Sequence, residues 1–382
     1  MTKLRVLSAL PSSEAATNKA TVISDQISVK LPLRRLKKVL TMAQEAKWLD
    51  KRSFAIGRWD GSLNIFHVPS GAEHDPVISS AFVSPCWGGL EMITPVTDYI
   101  FATSNDDSSI AIWKSLTPIH NKIIPQPTLF YNASYGVANS GTVVKAKGET
   151  FFVSGHKEGY LLIWSMDKRD ETFSLYSIVN IRSNNPVPPI GADQRQLWNV
   201  RSIVTWKEGV VVTGSEDGDI CVVSVPDGTV LSRKRYNPSA KRGINYLDLH
   251  KNYLLLANCA AGEDDKNTWL YRLGNGNKVT LLHAINLKVN EDLEQVFNFR
   301  VELAFDDPFL YFFAATGEGV LWMGKIENNK LHPIDNIKVS MNQGAALSYQ
   351  SESKILAVVG DNINLWRLES NFAPLKEAEP RE

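Results

Sequence analysis

Seven histidines and three cysteines are the side chains of this 382-residue chain best suited to metal or nucleophilic chemistry, and their spacing argues against both. His67, His156, His250 and His283 stand apart from one another, and none lies beside cysteines or carboxylates at the short intervals a zinc site needs. His156 falls in a turn, where an exposed imidazole is the simple expectation. Cys86, Cys221 and Cys259 are odd in number, far apart and set among apolar residues. That is the pattern of small reduced core residues in a cytoplasmic protein, not of a disulfide framework. The acidic run Glu263, Asp264, Asp265 matches no calcium-loop spacing and lacks a downstream bidentate glutamate. There is no nucleophile elbow, phosphate-cradling glycine loop or dinucleotide fingerprint. These residue types point away from an enzyme and imply no cofactor.

What remains is recognition chemistry. Trp59, Trp87 and Trp198 lie in loop-like stretches beside Arg58, Gly88 and Asn199, and exposed aromatics with arginine are the composition of binding hot spots. Trp198 and Arg195 belong to residues 183–199, a proline-rich polar stretch, and Lys241 and Arg242 follow in the connection NPSAKRG. Arg195, Trp198, Lys241, Arg242, Trp59 and Trp87 are therefore the candidate partner-binding residues. A second set, Arg34, Arg35, Lys37 and Lys38 with Lys241 and Arg242, would suit nucleic acid or phosphate if it formed one patch with aromatics interleaved. Charges balance at 41 basic and 41 acidic residues, so no overall field draws the chain to nucleic acid or membrane. No apolar run is long enough to span a bilayer, and the first residues carry too brief an apolar segment for a secretion signal.

These residues must be held by some scaffold, and a repeat supplies it. In VTWKEGVVVTGSEDGDICVVSV, residues 204–225, β-branched residues alternate around a Glu-Asp-Gly turn, the signature of strands in a meander. Six further stretches share the plan, among them GRWDGSLNIFHV from Gly57, SNDDSSIAIWK from Ser104 and GHKEGYLLIWSM from Gly155. The equivalent positions Phe66, Trp113, Trp164, Val223, Tyr271, Met323 and Trp366 recur every 43 to 59 residues or so, the size of a four-stranded propeller blade. Trp113, Trp164, Trp269, Trp322 and Trp366 fall in third strands, where a core role is expected.

The aspartate-glycine turn and the strand endings Ile112-Trp113, Ile163-Trp164 and Leu365-Trp366 resemble the WD-repeat β-propeller family over nearly the whole chain. The Gly-His dipeptide that opens a family repeat is missing and the terminal Trp-Asp pair is replaced, so the family's buried histidine-aspartate network is not carried over. The expected fold is all-β: a seven-bladed propeller of four-stranded antiparallel blades, one domain over residues 1–369, with 370–382 a disordered tail. The last repeat runs out after three strands, so residues 22–31 are expected to close the ring as its fourth strand. The first inner strand is placed at 36–43, and 289–299 stays open between strand, loop and helical turn. Loops that join an outer strand to the next inner strand share a face with the middle-to-third turns, here called the top, which puts the 183–199 insertion, NPSAKRG and the acidic turn there. The resemblance implies a non-enzymatic scaffold, a propeller subunit that binds a peptide or protein partner within a larger complex.

Overall fold

Every repeat folds as one four-stranded antiparallel sheet, and seven such sheets form the molecule. The computed structural model describes residues 3–8, 43–68, 77–83, 88–114, 128–131, 135–187, 197–240, 242–258, 266–293, 296–339, 346–360 and 363–369. After β1 (Lys3–Ser8), blade one holds β2 (Ala43–Trp48), β3 (Ser53–Arg58), β4 (Ser62–His67) and β5 (Val77–Val83). Blade two holds β6 (Leu90–Thr97), β7 (Ile100–Asn105), β8 (Ser109–Lys114) and β9 (Thr128–Tyr131); blade three β10 (Ala138–Ala146), β11 (Glu149–His156), β12 (Tyr160–Met166) and β13 (Phe173–Asn180). Blade four has β14 (Val200–Lys207), β15 (Val210–Ser215), β16 (Asp219–Ser224) and β17 (Val230–Arg235); blade five β18 (Ile244–His250), β19 (Tyr253–Asn258), β20 (Thr268–Gly274) and β21 (Lys278–Ile285). Blade six has β22 (Asn298–Asp306), β23 (Phe309–Thr316), β24 (Val320–Glu327) and β25 (Lys330–Lys338), and blade seven β26 (Ala346–Gln350), β27 (Ile355–Val359) and β28 (Ile363–Glu369).

The inner strands β2, β6, β10, β14, β18, β22 and β26 touch one another in sequence and then β26 returns to β2, which closes the ring around a central channel. Blade seven takes its fourth strand from β1, antiparallel to β28 with Lys3 opposite Glu369 and Val6 opposite Trp366. Residues 22–31, expected in that place, lie outside the described residues, as do 370–382, and the edge of β28 is filled by β1 instead. The first inner strand also lies later than expected, at Ala43–Trp48 rather than 36–43.

The core is a set of apolar clusters wedged between adjacent blades, such as Phe152, Leu162 and Trp164 against blade two and Val211, Cys221 and Val223 against blade three. Glycines at the end of β3, β11 and β15 set how close the next blade comes. A Cβ on Gly57, Gly155 or Gly214 would lie 2.3, 2.6 or 2.7 Å from Leu90, Val200 or Ile244, in each case the first residue of the following inner strand. The middle-to-third turns are marked by Gly61, Gly159, Gly218 and Gly319, all left-handed with φ between +69 and +83, as a turn glycine allows and a Cβ resists. Trp113, Trp164, Trp269 and Trp366 are buried as expected, and Trp322 packs against the core between blades five and six. Three of these indoles donate to a middle-strand side chain: Trp113 to Thr103 Oγ1, Trp164 to Ser154 Oγ and Trp269 to Asn258 Oδ1, at 2.9, 3.0 and 2.9 Å. Cys221 is a free, fully buried thiol that burial pushes up to about 12, while Cys86 and Cys259 lie outside the described residues.

Candidate functional site

Each inner strand enters from the top face, and six of them slip register at once. The extra residue is Gln44, Glu91, Asn139, Arg201, Asn245 or Phe299 in blades one to six. A bulge puts one unpaired residue into the strand and re-aims its side chain, so six blades repeat the same device at the channel mouth. Five of the six residues are polar. Gln44 Nε2 and Asn139 Nδ2 both donate to Glu91 Oε2 at 2.9 Å, which ties blades one, two and three together. Arg201 holds Glu216 at 2.7 Å, and Asn245 Nδ2 donates to Asn298 O at 2.7 Å. Burial holds the Glu91 carboxyl above its ordinary range, against the hydrogen bond from Gln44 and the more distant charges of Lys157 and Arg201.

One step deeper, charges cross the channel. Lys47 Nζ of blade one donates to the Tyr246 hydroxyl of blade five at 2.6 Å and lies 4.0 Å from Glu302 of blade six. Arg300 Nη2 pairs with Glu45 at 3.3 Å, donates to Gln44 O at 2.9 Å, and stacks its guanidinium 4.6 Å from the Tyr246 ring centre. Burial, together with the neighbouring Asp248, pushes the Glu302 carboxyl up to about 8. Tyr246 and Asp248 are also raised, burial being the main cause in each.

Beside the mouth, on blades five and six, lies an apolar cluster. Val289 and Asn290 donate their backbone N–H groups to the Glu318 carboxylate at 2.9 Å each, and Gly317 N donates to Phe297 O at 2.7 Å, so this loop and the turn after β23 are one unit. Val289, Leu293 and Phe297 are exposed on it, and Phe297 stacks on Phe299 with ring centres 5.7 Å apart. The described residues of the segment 289–299 that precede β22, for which the sequence allows strand, loop or helical turn, form a loop.

The candidates named from sequence fare unequally. Trp59 is 52% exposed on the turn between β3 and β4. Trp198 is half-buried: its Nε1 donates to Ser183 O at 3.3 Å, and its ring centre lies 4.9 Å from the guanidinium of Arg182, which also lies 4.8 Å from the Tyr160 ring centre. The cation beside Trp198 is therefore Arg182, itself paired with Glu158 at 3.1 Å. Arg242, expected as a surface cation, keeps only 9% of its surface and lies over Phe297. Arg195, Lys241, Trp87, Arg34, Arg35, Lys37, Lys38 and the acidic run at 263–265 lie outside the described residues. His156 corrects its expectation outright, being fully buried. The mouth residues went unnoticed, although lining up the starts of the inner strands would have shown a polar residue second in five of them.

Among the described residues no three His, Cys, Asp or Glu side chains converge as metal ligands, and no helix is long and apolar enough to cross a membrane. What the face offers is hydrogen bonding, charge and exposed apolar surface.

No family profile matches the chain, and no curated protein does. Solved structures do match in fold. The β-propeller domain of Myceliophteria thermophila Cps50 (Swd1) is 13% identical, covering 86% of this chain and 97% of that one, with a TM-score of 0.59. The WD40 β-propeller domain of Doa1 is 12% identical, covering 88% and 96%, at 0.60. The structure of U3-55K is 14% identical, covering 87% and 97%, at 0.62. The fold of this chain is the β-propeller of these solved domains.

Proposed function

We propose that this propeller is a non-enzymatic interaction module whose top face holds a peptide segment of a protein partner within a larger assembly. The observation that carries this reading is the row of bulged residues at the channel mouth. The bulge recurs in six blades with five different residue types, which is how a rigid scaffold presents varied recognition groups at one place. The exposed Val289, Leu293, Phe297 cluster and Trp59 supply apolar anchors on the same face. Arg195, Lys241 and Trp87 would extend the contact, and Trp198 would act by bracing Arg182. For nucleic acid the support is thinner, because Arg242 is buried and the other five cations of that set lie outside the described residues.

Lysine-directed crosslinking in native cells, read by mass spectrometry, tests the reading. Partner peptides should attach to Lys157, Lys288 or Lys338, which border the top-face turns, and a Trp59→Ala, Phe297→Ala double variant should reduce their yield. Crosslinks confined to Lys147, Lys168 and Lys207, beside the opposite turns, would move the partner to the other face.

A further inference from the structure

Among the described residues, Glu91 is an acid with no cation paired to it. Its Oε2 accepts two hydrogen bonds, both from neutral amides, those of Gln44 and Asn139. Among the described residues its Oε1 accepts none, yet it is not sealed from solvent, although the residue as a whole is only 7% exposed. The charges near it are engaged elsewhere: Arg201 with Glu216 at 2.7 Å, and Lys157 with Asp106 at 4.0 Å. Deeper in the channel, Arg300 serves Glu45 and Lys47 serves Glu302. A second atom points the same way. Asn139, also 7% exposed, uses Nδ2 on Glu91 and leaves Oδ1 buried with no donor. Buried acceptors are almost always satisfied, and an orphan costs desolvation with nothing in return. Two hydrogen-bonded neighbours at the mouth of the channel, Glu91 and Asn139, thus each keep one acceptor with no donor among the described residues.

We propose that this site on blades one to three receives the cationic end of a basic side chain, an arginine guanidinium or a lysine ammonium, carried by the bound peptide. The inference rests on the top-face peptide reading and adds the chemistry of its anchor. A guanidinium has five donors and an ammonium three, so either satisfies Glu91 Oε1, the acceptor open to solvent, and supplies the charge that the two amides lack. An acidic or apolar side chain would leave Glu91 Oε1 unmet.

The test uses the full chain and a display library of random heptapeptides. The wild type should select peptides with an arginine or lysine at one fixed position. Affinity for a selected peptide should fall about tenfold or more in Glu91→Gln, the range expected when a charged hydrogen bond is lost. Replacing arginine by citrulline, or lysine by norleucine, in that peptide should cost as much on the wild type and little on Glu91→Gln. This ligand-side change needs no protein variant, so it stands even if Glu91→Gln folds poorly, and it tells which cation is used. Selected peptides with no basic preference, or an undiminished affinity after both changes, would overturn the Glu91 anchor while leaving peptide binding intact. Selection of no peptide at all would overturn the top-face reading together with it.

Discussion

His156 holds the shortest path from a side chain to a measurable property of the protein. Its Nδ1 lies 2.9 Å from Gly136 O, so that nitrogen carries the proton, and its Nε2 accepts from Ser154 Oγ at 2.9 Å. Ser154 Oγ in turn accepts from Trp164 Nε1. The chain of donors is consistent only for a neutral imidazole, since a proton on Nε2 would face an oxygen whose own hydrogen then has nowhere to go. Burial pushes the imidazole down to about 4, against the Gly136 bond that favours its charge. The folded value lies below the unfolded value near 6.5, so the unfolded chain binds the proton first and stability is lost as pH falls from about 6.5 to 4. Denaturant unfolding at pH 7 and pH 5 should show wild type losing about 2 kcal/mol more than His156→Gln over that interval. His250 and His283 are lowered too, so some loss persists in the variant. The burial of His156 was not legible in the sequence, because GHKEG reads as a turn and the residue is in fact the last of β11, opposite Ala138 of β10.

Between elements, what matters is how strands find partners and how blades nest. Gly155 is where β11 meets the inner strand of blade four, and a Cβ there would lie 2.6 Å from Val200 and 2.7 Å from Ser140 Oγ. Gly155→Val should lower unfolding free energy by about 1–3 kcal/mol through overpacking, measured by denaturant titration. Closure is the second case. Removing residues 1–8 would leave the β28 edge unpaired. The expected result is a melting point lower by several degrees, with aggregation through that edge, because each kcal/mol moves the midpoint of a large domain by only about 2 °C. The repeat itself could be read from sequence because its turns are written in glycine and aspartate next to β-branched strands. Two errors have physical causes. Residues 4–10 and 22–31 both read as strand in the sequence, and the choice between them depends on the pairing with β28 that no local pattern reveals. The strand β2, AQEAKW, breaks hydrophobic alternation because Glu45 and Lys47 serve the channel, which left the apolar stretch before it looking the better candidate.

Across the whole molecule, the channel network links blades that no hydrogen-bonded sheet connects. Lys47 joins blade one to Tyr246 of blade five and faces Glu302 of blade six, and its charge also steadies Asp248. Lys47→Met would keep the aliphatic stem while removing the cation from three carboxylates, Glu45, Glu302 and Asp248, of which Glu45 keeps Arg300. Breaking a fully buried pair costs about 3–5 kcal/mol. The Lys47 side chain keeps 29% of its surface toward the channel, so screening reduces the expected loss to about 2–3 kcal/mol. The loss has a pH signature. Glu302 stands at about 8 in the folded chain, above its ordinary 4.5, so its contribution to stability declines as pH rises from about 4.5 to 8, and taking away Lys47 steepens that decline. Urea unfolding should therefore show a larger deficit for Lys47→Met at pH 8 than at pH 5.5. The double variant Lys47→Met, Glu302→Leu should regain most of the difference at pH 8, because an apolar pair of similar volume needs no counter-charge. Equal deficits at the two pH values would mean that Lys47 acts through its packing and the Tyr246 hydrogen bond rather than through its charge.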